Sequence, residues 1–113
     1  MTIKTQFPEE ISKKDLYKMT KGDTVSVRDG VGVIFKTAEY ILYQDTNQRG
    51  DDVEVLAIMT SDRTVYSTVS ETFKQRFFDI VETFGVEDLP DTEILITEGT
   101  SKAGRQYASC TIA

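Results

Sequence analysis

The order of elements in the second half of the chain constrains its fold more than any other feature. Two β-patterned runs, Val53 to Thr60 and Thr64 to Tyr66, meet an amphipathic segment from about Val69 to Phe84. A hairpin then closes the chain around Gly99-Thr100-Ser101-Lys102-Ala103-Gly104. With the β-branched and aromatic stretch Thr24 to Gln44 upstream, the series runs strand-strand-strand-helix-strand-strand. That is the connectivity of a mainly β, five-stranded OB-fold barrel with one helix between its third and fourth strands.

The upstream stretch contains Asp29-Gly30 and Gly32, where glycine marks a bulge, bend or tight turn. One bent strand and a tight hairpin fit these residues equally, and barrel closure needs the bent strand. Residues 45 to 52 are polar and predict an exposed loop. Ser67, Thr68 or Ser70 can cap the helix, and Thr68 to Glu71 has capping-box spacing. Val69, Phe73, Phe77, Ile80 and Phe84 form its core stripe, with Val81 beside them. Phe78 lies off that stripe, against the N-terminal arm or at a partner surface. Gly85 ends the helix, and Pro90 prevents its resumption.

Residues 1 to 11 lack periodicity and predict a mobile or loosely docked arm. Ser12 to Met19 follows as a short helix with Ser12 at the N-cap, Asp15 three residues later, and Ile11, Leu16 and Met19 on its buried side. The expected organisation is an arm with a short helix over 1–21 and one barrel domain over 22–113. A chain of 113 residues, 39% hydrophobic, suits a single modest core.

The composition removes several functional classes. Cys110 is the only cysteine and histidine is absent, which excludes internal disulfides, the usual zinc sites and His-based hydrolytic triads. Carboxylate-Mg²⁺ nuclease chemistry would need acidic residues gathered at one place, and the 19 here are scattered. A non-enzyme without cofactor is expected. No stretch approaches a membrane span, and Met1 to Thr5 lacks the apolar run of a signal peptide, so a cytoplasmic protein with no membrane partner is expected. The net charge of −6 argues against nucleic acid until its distribution is considered. Residues 1–28 carry +2, residues 29–100 carry −10 and residues 101–113 carry +2.

In the last strand, Arg105 to Ile112, Ala108, Cys110 and Ile112 share one face while Arg105, Tyr107, Ser109 and Thr111 share the other. The first set suits a barrel interior, and the second places an arginine and a tyrosine together outside. Val65-Tyr66-Ser67-Thr68-Val69-Ser70 with Thr72, and Gly99-Thr100-Ser101 followed by Gly104 and an aromatic-containing strand, resemble a known family. It is that of the small single-stranded DNA-binding proteins of tailed bacteriophages with protein-primed replication. Gly22-Asp23-Thr24 and the strand after it extend the resemblance over residues 20 to 113. It implies an OB fold that coats strands exposed during phage genome replication in the bacterial cytoplasm. A replication DNA polymerase would be a partner, and the protein would act as a monomer or weak homo-oligomer. The chain departs from the family in a longer, more acidic loop at 45 to 52 and in Ala108, where a larger residue is expected.

Holding single strands without reading sequence needs aromatic faces for bases and positive charge along the phosphates. Tryptophan is absent and there are five tyrosines, so tyrosine must supply most of the platform. Tyr107 leads; the bland alternative is an exposed β-former. Tyr40 and Tyr43 lie on opposite faces of a regular strand, so at most one points outward. Tyr66 sits at a strand end, as a base contact or as a buried ring with its hydroxyl at the rim. Phe35 shares the parity of Val31 and Val33 and is expected in the core. Lys102 and Arg105 flank the terminal hairpin, and Arg28, Lys36, Arg49 and Arg63 lie on or beside sheet elements. The acidic middle of the chain supports a different class, a DNA mimic or adaptor that binds a host DNA-processing enzyme.

Overall fold

Eight strands and two helices build the protein, and the computed structural model describes all 113 residues. In chain order they are β1 (Thr2–Phe7), α1 (Lys13–Thr20), β2 (Val25–Ser26), β3 (Ile34–Phe35), β4 (Thr37–Thr46), β5 (Asp52–Thr60), β6 (Val65–Thr68), α2 (Glu71–Phe84), β7 (Ile94–Thr100) and β8 (Gln106–Ile112). A short 3-10 turn, Val27–Gly30, joins β2 to β3, and another, Leu89–Asp91, precedes β7.

The strands form two sheets rather than one closed barrel. One has the order β1-β4-β5-β6-β2 and the other β3-β7-β8. The stretch expected as one bent strand or a hairpin is broken instead. Its 3-10 turn ends at Gly30, Gly32 takes a φ of 93°, and Lys36 separates β3 from β4. Thereafter β3 pairs with β7 while β4 pairs with β5, so neighbouring halves of one extended segment serve different sheets. Val31 and Val33 are exposed in the broken part, whereas Phe35 is buried.

The N-terminal run also differs from the expected loose arm. Thr2–Phe7 is the edge strand of the larger sheet, antiparallel to β4 with Phe7 opposite Tyr40. β-branched and aromatic residues at Ile3, Thr5 and Phe7 suit it to that position. The adjacent helix α1 forms as expected: the Ser12 side chain accepts from the Asp15 N–H at 3.1 Å.

Both faces of the larger sheet are covered. On one, Tyr40, Leu56, Ile58 and Tyr66 meet Phe73, Phe77 and Ile80 of α2 and Ile94, Ile96, Ala108 and Cys110 of the smaller sheet. On the other, Ile41, Tyr43, Ala57, Met59 and Val65 meet Met19 of α1, with Ile11 and Leu16 half-buried beside them. Alternate residues of β5 therefore enter different cores, which is why that strand has so few polar positions.

Helix α2 starts later than its apolar period suggested. Ser70 is the N-cap, its hydroxyl accepting from the Phe73 N–H, and the Gly85 N–H closes the other end on the Val81 carbonyl. Val69 precedes the helix, so the helical stripe does not extend to it, and it is exposed, as is Phe84 in the last turn. Phe78 packs edge-on against Tyr40 and Phe77, each at 5.5 Å between ring centroids, while Tyr40 stacks on Phe7 at 6.1 Å. Lys74 on the same helix is buried. Its Nζ donates to the Glu54 carbonyl and carboxylate and to Glu71 at 2.8 Å, with every donor satisfied.

Candidate nucleic-acid interface

The seam between the two sheets opens into a groove of about 560 Å³ lined by Ser26, Val27, Arg28, Val55, Ser67, Thr68, Val69, Ser70, Tyr107 and Ala108. Four stretches distant in the chain build it, Val55 of β5 among them. β2 runs parallel to β6, with Ser26 beside Ser67, and the Thr24 and Ser67 hydroxyls bond at 2.7 Å. The 3-10 turn then presents Arg28, and β8 supplies the opposite wall.

Tyr107 is the aromatic face of this groove. It is half-buried and pairs in register with Gly99, where a Cβ would stand 2.5 Å from the Tyr107 Cζ. Glycine therefore lets the ring lie across the β7 backbone. Arg28 reaches over to the start of β8, its guanidinium donating to the Gln106 carbonyl at 3.5 Å. The two side chains also border a smaller cleft with Val31, Glu98, Gln106 and Ala108. Tyr107 thus forms the ridge between two depressions that share Arg28. Ser26, Ser67, Thr68 and Ser70 contribute hydroxyls, and exposed Val69 adds an apolar surface.

The other candidate residues are dispersed. Lys102 lies in the β7–β8 turn and Arg105 immediately before β8, both exposed; the turn is fastened by the Ser101 N–H to the Arg105 carbonyl and the Arg105 N–H to the Ser101 hydroxyl. Both stand on the hairpin that carries Tyr107. Arg49 is exposed in the β4–β5 loop, on a turn whose N–H groups are gathered by the Asn47 carboxamide. Arg63 points elsewhere, donating to Asp15 at 2.5 Å.

Tyr40 and Tyr43 do occupy opposite faces of β4, but the covering of both faces buries them at 4% and 5% exposure. Neither ring offers a surface to a base. Tyr66 is buried too, packed near Phe35 and over Gly30, whose absent side chain makes room for the ring. Burial holds the hydroxyls of Tyr40, Tyr43 and Tyr66 above the usual phenol range. In the sequence Ser67, Thr68 and Ser70 are candidate caps and part of the family resemblance, and Val69 is a core candidate. The polar, β-branched composition of 67 to 70 was the available signal for a surface role.

A second cleft, about 290 Å³, lies where Lys36 meets Thr60, Ser61, Asp62, Tyr66 and Glu93. Hydrogen bonds from the Thr60 hydroxyl and the Thr64 backbone hold Asp62 below the usual carboxylate range. With Asp62 ionised beside Glu93, this cleft is the poorer host for phosphate.

The sequence model of a family described as phage single-stranded DNA-binding protein matches residues 2–113. No curated protein matches the chain, nor does any solved structure.

Proposed function

From the premise that this chain belongs to the phage single-stranded DNA-binding protein family, we propose that the seam groove is where the strand is held. The family assignment establishes single-stranded DNA as the ligand and phage replication as the setting. Its match runs nearly end to end, so strand, helix and hairpin all belong to the binding protein.

The Tyr107 ring on Gly99 carries the reading. A base can stack against this aromatic wall, while Arg28, Lys102 and Arg105 provide cations for the phosphates on either side. The hydroxyls of Ser26, Ser67, Thr68 and Ser70 are suited to phosphate or sugar contacts, which position a strand without reading its sequence. The acidic surface elsewhere, including Asp62 and Glu93, repels a second track. Coating of exposed strands without strong sequence preference follows from stacking and charge alone. The element order from β3 and β4 through α2 to β8 supports an OB-type scaffold, in which the split β3–β4 segment stands for the bent first strand.

Oligo-dT titration tests the assignment. Tyrosine fluorescence of the wild type should be quenched on binding, and the affinity should fall as salt rises. Loss of most of the affinity in Tyr107→Ala is expected. A folded Tyr107→Ala protein that binds with the wild-type Kd would place the groove elsewhere.

A further inference from the structure

We propose that the exposed face of α1 is a second contact for the same DNA strand, with Tyr17 stacking on a base and Lys14, Lys18 and Lys21 holding phosphates. This inference rests on the groove reading above and lengthens its track.

Helix α1 uses one side for the core and leaves a different chemistry outside. Met19 and Leu16 pack on the outer face of the larger sheet, and Asp15 is buried beside Arg63. At 100° per residue, Tyr17, Lys21, Lys14 and Lys18 fall within about 100° of arc directed away from Leu16 and Met19, with Lys13 next to Tyr17. Tyr17 is 64% exposed, more than any other tyrosine, and none of these lysines is in an ion pair. The Asp15 charge within the helix is offset by Arg63. In an acidic protein this is the densest group of free cations, and it surrounds the most exposed aromatic ring.

Its position relative to the groove makes the contact continuous. Lys21 ends the helix, with its N–H bonded to the Tyr17 carbonyl. Three residues later the Thr24 hydroxyl bonds Ser67 of the groove wall, and Ser26 and Arg28 follow directly. Only Asp23 interrupts this run with a negative charge. A strand leaving the Tyr107 groove past Ser67 and Thr24 therefore meets Lys21 and then Tyr17. Stacking tolerates any base, and the lysine charges require only the backbone, so the patch preserves the lack of sequence preference.

The test compares the wild type, Lys14→Gln/Lys18→Gln/Lys21→Gln, Tyr17→Ala and Tyr107→Ala on oligo-dT of increasing length. All altered lysines and Tyr17 are exposed, and circular dichroism confirms folding. On long oligomers the triple variant should lose about 2 from the slope of log K against log salt, at about 0.7 per phosphate contact on single strands. Its affinity for oligomers just long enough for the groove should stay within twofold of wild type. Tyr17→Ala should reach its limiting affinity at a shorter oligomer than wild type. A wild-type slope in the triple variant together with an unchanged length dependence in Tyr17→Ala would overturn the helix contact. Wild-type binding by Tyr107→Ala with a reduced slope in the triple variant would instead strike the groove and leave the helix contact standing.

Discussion

Tyr107 rests its ring on the backbone of Gly99, its partner across the β7–β8 ladder: a Cβ at residue 99 would meet the ring Cζ at 2.5 Å and the hydroxyl oxygen at 2.6 Å. The wall of the groove therefore depends on a residue that need not touch DNA. Gly99→Ala should swing the ring out of place and weaken oligo-dT binding several-fold with Tyr107 still present. Tyr107→Ala should cost about 1–3 kcal/mol, the usual worth of one stacked base. Fluorescence titration reads both. An undisturbed Kd in folded Gly99→Ala would show that ring placement does not matter.

Arg28 and Arg63 should behave oppositely. Arg28 borders both depressions beside Tyr107, so Arg28→Gln should lower the salt slope by about 0.7. Arg63 is engaged with Asp15, and Arg63→Gln should lower the melting temperature while leaving the slope as it was. Equal slopes for Arg28→Gln and wild type would remove Arg28 from the phosphate track.

Stability should fall as pH rises through neutrality. Burial and then the neighbouring Asp15 carboxylate push Glu39 up to about 7 from 4.5. A raised folded-state value favours the native state fully below about 4.5, and that contribution disappears as pH climbs through about 7. Asp15 has the opposite sign: contacts with Glu39 and Arg63 hold it below 3.8, so its contribution is lost in acid. Glu39→Gln keeps a donor toward Asp15 and should flatten the loss between about pH 5 and 7 in urea melts. A variant retaining the wild-type slope there would assign the effect to other groups.

Lys74 is the buried cation of the fold, joining α2 to the Glu54 backbone and side chain. Lys74→Ala should destabilise the protein by about 1.5–3 kcal/mol, the usual worth of hydrogen bonds made by a charged group, because Glu54 keeps Lys4 and Glu71 is exposed. Equilibrium urea denaturation measures it. A change below about 1 kcal/mol would mean that water replaces the ammonium without loss.

Cys110 should resist alkylation in the native state. Burial pushes its thiol up to about 12, and its Sγ lies toward the Phe73 carbonyl at 3.9 Å. Iodoacetamide at pH 8 should modify the urea-unfolded protein readily and the native protein only at the rate of unfolding. Rapid native labelling would reveal opening between α2 and β8.

Local chemistry determined much of this protein from its sequence. Ser12 and Gly85 mark helix ends because capping involves residues only a few positions apart. The two-residue period placed Tyr40 and Tyr43 on opposite faces and set Tyr107 apart from Ala108 and Cys110, since strand geometry alone fixes parity. The resemblance carried by 65–70 and 99–104 identified the DNA-binding family; residues 67–70 line the groove, and Gly99 backs the Tyr107 ring that forms its wall. Tertiary structure decided which faces are covered, a matter of elements distant in the chain. Helix α1 covers Tyr43, helix α2 covers Tyr40, and Asp15 engages the exposed Arg63 in an ion pair. It also decided that Val69 borders a groove, because the helix begins only after Ser70. Parity is a property of one strand, whereas exposure depends on what packs against it.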